Sequence, residues 1–195
     1  MLEFPNIKPD SVSWGLAANL MSFESDLSGT VQRVALPGAR YYGTLTFSNR
    51  MGREAKLLEA FIQRINATAG IFLMAPPALN NLGSMGGAGR VAGANQTGLT
   101  LNTNQWQANQ QLLFAAGDYI EVGGRVYMVV EDAASNGSGQ ATLQLNRPLL
   151  NSPANNSTVI KTPKVKMMMP DVEGLMRISS PFLYAGTIEV VEDLL

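Results

Sequence analysis

The chain contains neither cysteine nor histidine. Without cysteine there are no disulfides, thiolate metal sites or thiol nucleophiles. Without histidine the commonest general base and the commonest zinc and iron ligand are also missing, which leaves most hydrolytic and redox mechanisms without residues to run on. Charge is scarce too. Only 15% of the 195 residues are charged, and 14 basic residues stand against 15 acidic ones, so no strong field of either sign steers the protein to nucleic acid or to anionic lipid. No uncharged apolar run reaches about 18 residues, and Met1–Pro9 has no basic segment followed by an apolar core. The expectation is a chain that neither crosses a membrane nor is exported by a signal peptide. What remains is 46% apolar. A surface so poor in charge suits a protein whose faces are covered by neighbouring subunits.

The clearest punctuation lies between Phe114 and Leu145. Tyr119–Val122 and Arg125–Val130 are rich in β-branched and aromatic residues and are separated only by Gly123-Gly124, a hairpin signal. A polar run, Ala133 to Gly139, follows, in which Asn136-Gly137 is suited to the positive φ of a tight turn, and then Ala141–Leu145 alternates. Together they predict a three-stranded meander. Thr97–Leu101 before it and Ser157–Lys161 after it bring the count to about five strands, the number of an OB-like barrel.

Toward the amino terminus, residues 4–13 read as an extended arm leading into a strand in which Val12, Trp14 and Leu16 share a face. Thr30–Leu36 and Tyr41–Phe47 are two further strands expected to pair, with Leu45 and Phe47 on one side and Thr44 and Thr46 on the other. The period then changes. Ala55, Leu58, Phe61, Ile62 and Ile65 recur at three- and four-residue intervals, predicting one amphipathic helix over about residues 51–66, capped by Ser48 or Asn49. Ile71–Met74 is a short buried strand, and residues 81–96, with five glycines, read as a flexible linker. After Pro163, the stretches Lys164–Met169, Leu175–Ser179 and Gly186–Val191 are strands too few to form a domain by themselves. They are expected to complete the amino-terminal sheet. The expected fold is therefore mainly β (α+β): a split β-sandwich with one amphipathic helix, built by residues 1–80 with 163–195, and an inserted OB-like small β-barrel over 97–162.

The segment Ala116–Ile120, Gly123–Tyr127, Ser135–Leu143 and Arg147–Leu150 resembles one recurrent in the distal tail proteins of long-tailed bacteriophages. The likeness covers roughly residues 91–160; the flanks agree mainly in layout. It implies a ring-forming β-sandwich with a helix that carries an outer barrel. It also implies a non-enzymatic virion protein made in the host cytoplasm, a homo-hexameric ring at the tail tip joining the tail tube protein to the hub, with fibres or other baseplate parts as further partners. Strand edges in residues 30–47 and 164–191 are expected to join neighbouring subunits. The alternatives are a carbohydrate- or ligand-binding module on the virion, acting through Trp106 and the loop 102–111, or another tail ring component such as a tube or tail-completion protein.

No residue stands out in the sequence as catalytic, cofactor-binding or metal-ligating. The glycine cluster Gly83–Arg90 lacks the Gly-Lys-Ser/Thr ending of a phosphate loop, so a mobile loop is the expectation. The carboxylates Glu131-Asp132, Asp171/Glu173 and Glu192-Asp193 are as well explained by solvated strand ends as by acid–base or cation chemistry. Gly137-Ser138-Gly139 lacks the spacing of a nucleophile elbow. Met167-Met168-Met169 suits a strand with both core and edge positions or an adaptable contact. Trp14, Tyr41, Tyr42 and Trp106 suit interfaces or sugar stacking, with core the default. The meander carries a single strand cation, Arg125, too few for a nucleic-acid face.

Overall fold

The computed structural model describes residues 1–36, 38–68, 70–77, 79–170, 177–179 and 183–194. The first half of the chain forms β1 (Leu2–Glu3), β2 (Ser11–Ala17), β3 (Leu20–Glu24), β4 (Val31–Ala35), β5 (Arg40–Arg50), α1 (Gly52–Thr68) and β6 (Phe72–Met74). The middle forms β7 (Gly87–Val91), β8 (Thr100–Trp106), β9 (Tyr119–Val122), β10 (Arg125–Met128) and β11 (Ala141–Gln144). The rear adds β12 (Val165–Met168), β13 (Arg177–Ser179) and β14 (Leu183–Glu192). The fold is mainly β with one helix. Two compact units result: Met1–Met74 with Lys166–Leu195, and Ala75–Val165.

The first unit is built on a sheet of order β1-β6-β12-β14-β5-β2, with β13 also paired to β14. The long strand β5 lies inside it because alternation gives it one apolar face. Tyr41, Leu45 and Phe47 are buried, while Tyr42, Thr44 and Thr46 face the other way. The carboxyl-terminal strand lies directly beside it: Ile188 is opposite Leu45 and Val190 opposite Gly43, and Ile188 and Val190 are fully buried. Both chain ends therefore contribute to one core. On the other flank of β5, Trp14 of β2 pairs with Gly43. Its indole covers that glycine and stacks on Tyr41 at 5.4 Å.

Helix α1 covers the apolar face of this unit with the predicted stripe, Ala55, Leu58, Phe61, Ile62 and Ile65, all buried. Full burial of each large member contributes about 1.5–3 kcal/mol. Phe61 meets Phe72 edge-on at 5.2 Å and Phe4 at 5.1 Å, which draws the proline-bearing amino-terminal arm into the aromatic core. The helix begins at Gly52 rather than after a Ser48 or Asn49 cap, because both of those residues belong to β5. At its far end Gly70 N donates to Ile65 O (3.1 Å), and the Thr68 hydroxyl donates to Arg64 O (3.0 Å). On the exposed side the Glu59 carboxylate, 2.8 Å away, and then Tyr184 hold the Lys56 ammonium above its ordinary range.

Two strand expectations are corrected here. Residues 30–36 do not pair with 41–47: β4 pairs with β3, from Leu20↔Ala35 to Glu24↔Val31, and β5 has both edges filled by β2 and β14. The pairing that wins is closed by a short turn in which Ser25 N donates to Thr30 O (3.0 Å), whereas β5 has no edge left for β4 once β2 and β14 have taken both of its sides. With β2 on one side and β14 on the other, the edges of β5 are not open to a neighbour. Among the described residues, β2 and β1 are the two ends of the sheet's main strand order.

The second unit is a closed barrel. β11, β8 and β7 form one sheet and β9–β10 a hairpin, whose turn is Gly123-Gly124 with φ of 60° and 73°. Val130 N→Gln144 O (2.9 Å) and Asn146 N→Met128 O (2.9 Å) join β11 to the hairpin. The paired bonds of Glu121 with Ile160 (2.9 and 2.8 Å) join β9 to residues 157–160, and Val159 N→Gly89 O (3.0 Å) returns to β7. Leu101, Leu113, Phe114, Ile120, Val129 and Leu143 fill the interior with no exposure at all.

The expected flexible linker is thus part of the barrel: β7 is a wall strand drawn from within residues 81–96. Its glycines serve proximity. Gly89 takes φ +57°, and a Cβ there would strike the Trp106 indole. At the other turn, Asn136 Oδ1 accepts from Ser138 N and Gln140 N (both 2.9 Å), and the positive φ falls on Gly139 rather than on Asn136-Gly137.

Candidate functional site

The feature of the first unit that calls for a partner is the β3–β4 hairpin. Its strands place Met21 and Phe23 on one face with Val34, since Met21 stands opposite Val34 and side chains alternate along each strand. Met21 is 61%, Phe23 68% and Val34 57% exposed, and Leu27 at the turn is fully exposed. Leu20 and Val31 emerge on the opposite face, at the two ends of the hairpin, and are likewise more than half exposed. A two-stranded hairpin is marginal in water by itself, and contiguous exposed apolar surface marks a contact site. Burying Met21, Phe23 and Val34 against another surface is worth roughly 4 kcal/mol, taking about two thirds of the full side-chain value for each. The outer edge of β2 belongs to the same unit. Its sequence, SVSWGLA, carries no charge and no proline, and so lacks the usual devices that prevent edge-to-edge pairing.

Trp106 is not available for stacking on a ligand. It is only 5% exposed, donates its indole N–H to the Thr103 hydroxyl at 2.7 Å and packs edge-on to Phe114 at 5.1 Å. Trp14 is half-buried and Tyr41 buried, leaving Tyr42 as the exposed member of the four aromatic candidates. Met167 is completely buried and Met168 partly so, as expected of a strand with one core face, although β12 is interior to the sheet, between β6 and β14.

The carboxylates do not converge. Glu131 and Asp132 are exposed, and Asp132 accepts Ala116 N at 2.8 Å. Glu192 and Asp193, read as possible solvated strand ends, are instead buried, because β14 runs to Glu192 in mid-sheet; Glu192 Oε2 accepts Tyr41 N at 2.9 Å. Asp171 and Glu173 lie outside the described residues, as do Leu175 and Met176 of the expected rear strand. Among the described residues no cluster of three or more carboxylates could hold a metal ion. Ser138 sits in the turn closed by Asn136. The glycine cluster, read as a mobile loop, is pinned to the barrel: Asp118, 2% exposed, accepts Leu82 N (2.7 Å), Gly83 N (2.9 Å) and Ala115 N (2.8 Å).

Two features escaped sequence reasoning. One is β3, whose adjacent Leu20-Met21 and nearby Phe23 break the alternation of a half-buried strand. That irregularity, followed by Ser28-Gly29 and the next strand, was the available signal of a two-faced hairpin. The other is the Asp118 clasp, for which a lone aspartate after a glycine carries no signal. No model of a known protein family matches the chain, and no curated protein resembles it significantly. Among the described residues no helix is long and apolar enough to cross a membrane.

Proposed function

We propose that this chain is a non-enzymatic structural subunit that assembles with copies of itself into a ring at the tip of a phage tail, joining the tail tube to the hub as distal tail proteins do. The observation that carries the reading is the β3–β4 hairpin, whose Met21, Phe23 and Val34 stand more than half exposed on one face. A chain with so few charges keeps such a surface only if a neighbour covers it. The uncharged edge of β2 supports the same reading by offering a ladder to an adjacent subunit. So does the likeness of residues 91–160 to the barrel segment of distal tail proteins. The site of action in this reading is the virion, and the partners are the chain itself, the tube protein and the hub.

A glycan-binding module is the competing reading, and the burial of Trp106 takes away the aromatic platform on which it rested. Light-scattering mass measurement on the purified full chain tests the proposal. A species of six 20.9 kDa chains is expected, collapsing toward a single chain when Met21 and Phe23 are both changed to Asp. A wild-type protein that stays a single chain at high concentration defeats it.

A further inference from the structure

On the outer wall of the barrel lies an open groove of about 570 Å³ between β8, β11, the end of β7 and residues 134–136. That volume falls within the roughly 300–1,000 Å³ of specific ligand sites. Its chemistry is narrow. The amides of Asn102, Asn136 and Gln140 and the hydroxyls of Ser135 and Thr142 line it, alanines make up most of the rest, and no charged or aromatic side chain contributes. A phosphate, a metal ion or a nucleic-acid backbone would find no counter-charge there, and the flat face of a sugar or base no ring to stack on.

The amides are oriented by hydrogen bonds to neighbouring groups. Asn136 Oδ1 is engaged by two backbone N–H groups, and its Nδ2 donates to Gln140 Oε1 at 3.0 Å, which leaves Gln140 Nε2 as the free end of that side chain. The Thr142 hydroxyl donates to Asn102 Oδ1 at 2.9 Å and leaves Asn102 Nδ2 free in the same way. Each primary amide still offers N–H donors beside a carbonyl with a spare lone pair, the complement of a peptide group. The two are also suitably spaced. Thr142 stands opposite Asn102 across the ladder and lies two residues beyond Gln140, so Asn102 and Gln140 are diagonal neighbours about 7–8 Å apart, close to the roughly 6.6 Å repeat of same-facing peptide groups in an extended chain. Alanine walls let a main chain approach closely.

We infer that this groove binds an extended, uncharged peptide segment of another polypeptide, recognised chiefly through its main chain by Asn102 and Gln140. The inference does not depend on ring formation, and its test does not either. The full-length chain is immobilised and panned against a display library of random 12-residue peptides. Selected peptides are then synthesised with a fluorophore and titrated by polarisation. Enrichment of peptides with uncharged central residues is expected, with binding weakened at least tenfold by the pair Asn102→Ala and Gln140→Ala. Ala134→Trp, which fills the groove from an exposed position, should weaken it equally, and both variants should melt with the wild type. The inference is overturned if no peptide is enriched over a blank surface, or if selected peptides bind both variants within twofold of wild type. It is equally overturned if an array of neutral oligosaccharides is retained in an Asn102-dependent way while peptides are not.

Discussion

Replacing Asp118 with Ala tests whether the glycine-rich segment is structure or tether. The carboxylate accepts three backbone N–H groups, from Leu82, Gly83 and Ala115, and it is almost completely buried. Removing it orphans all three donors. The Ala115 donor is buried and costs about 1–3 kcal/mol when unpaired, whereas those of Leu82 and Gly83 are part-buried and recover some bonding to water. Relief from burying a charge offsets part of the loss. The net is about 3 kcal/mol, or roughly 12–24 °C in melting temperature for a unit the size of Ala75–Val165. Asp118→Asn should fall between the two, because an amide turned to keep its oxygen on Gly83 and Ala115 must face its own N–H₂ toward Leu82 N. Hydrogen exchange read by mass spectrometry, followed peptide by peptide, is the assay. Protection should collapse first over residues 82–91, where Gly87–Val91 supplies a barrel wall. If Asp118→Ala leaves exchange in that segment unchanged and stability within about 0.5 kcal/mol of wild type, the clasp argument is wrong.

Gly89→Ala should destabilise the barrel by roughly 2–4 kcal/mol in urea unfolding, combining a left-handed backbone with overlap against Trp106. Neither term can relax easily, since the indole is anchored to Thr103. Leu58→Ala, at a helix position with no exposure, should cost about 2–5 kcal/mol in thermal or urea unfolding of the first unit. Met21→Asp with Phe23→Asp should abolish self-association in light scattering while shifting the melting temperature of the dilute single chain by no more than a few degrees, since both side chains already face water.

The helix's buried face was legible because its stripe is written at a 3.6-residue period, and five of five predicted positions are buried, whereas its cap was not, since Ser48 and Asn49 belong to β5. The turn at Gly123-Gly124 and the alternation of Tyr41 to Phe47 were legible for the same reason: local geometry alone fixes which side chains share a face. Thr30–Leu36 could be recognised as a strand, but its partner could not. Pairing depends on which edges remain free once β2 and β14 have taken both sides of β5. The glycines of residues 83–89 misled because a glycine needed for close approach to Trp106 looks the same in sequence as one that confers flexibility.

By itself, then, the amino-acid sequence determined the β-rich class, the single amphipathic helix, the union of both chain ends and the absence of cysteine and histidine chemistry. The class, the helix and the missing chemistry follow from composition or from the short-range periodicity of side chains along the backbone, and the union of the ends from rear strands too few to form a domain alone. Only the tertiary structure decided that β3–β4 stands with its apolar face uncovered, that Trp106 is core rather than surface, and that Asn102, Asn136 and Gln140 share one groove. Exposure and convergence depend on contacts between residues distant in the chain, and these are settled only when the competing pairings are resolved together.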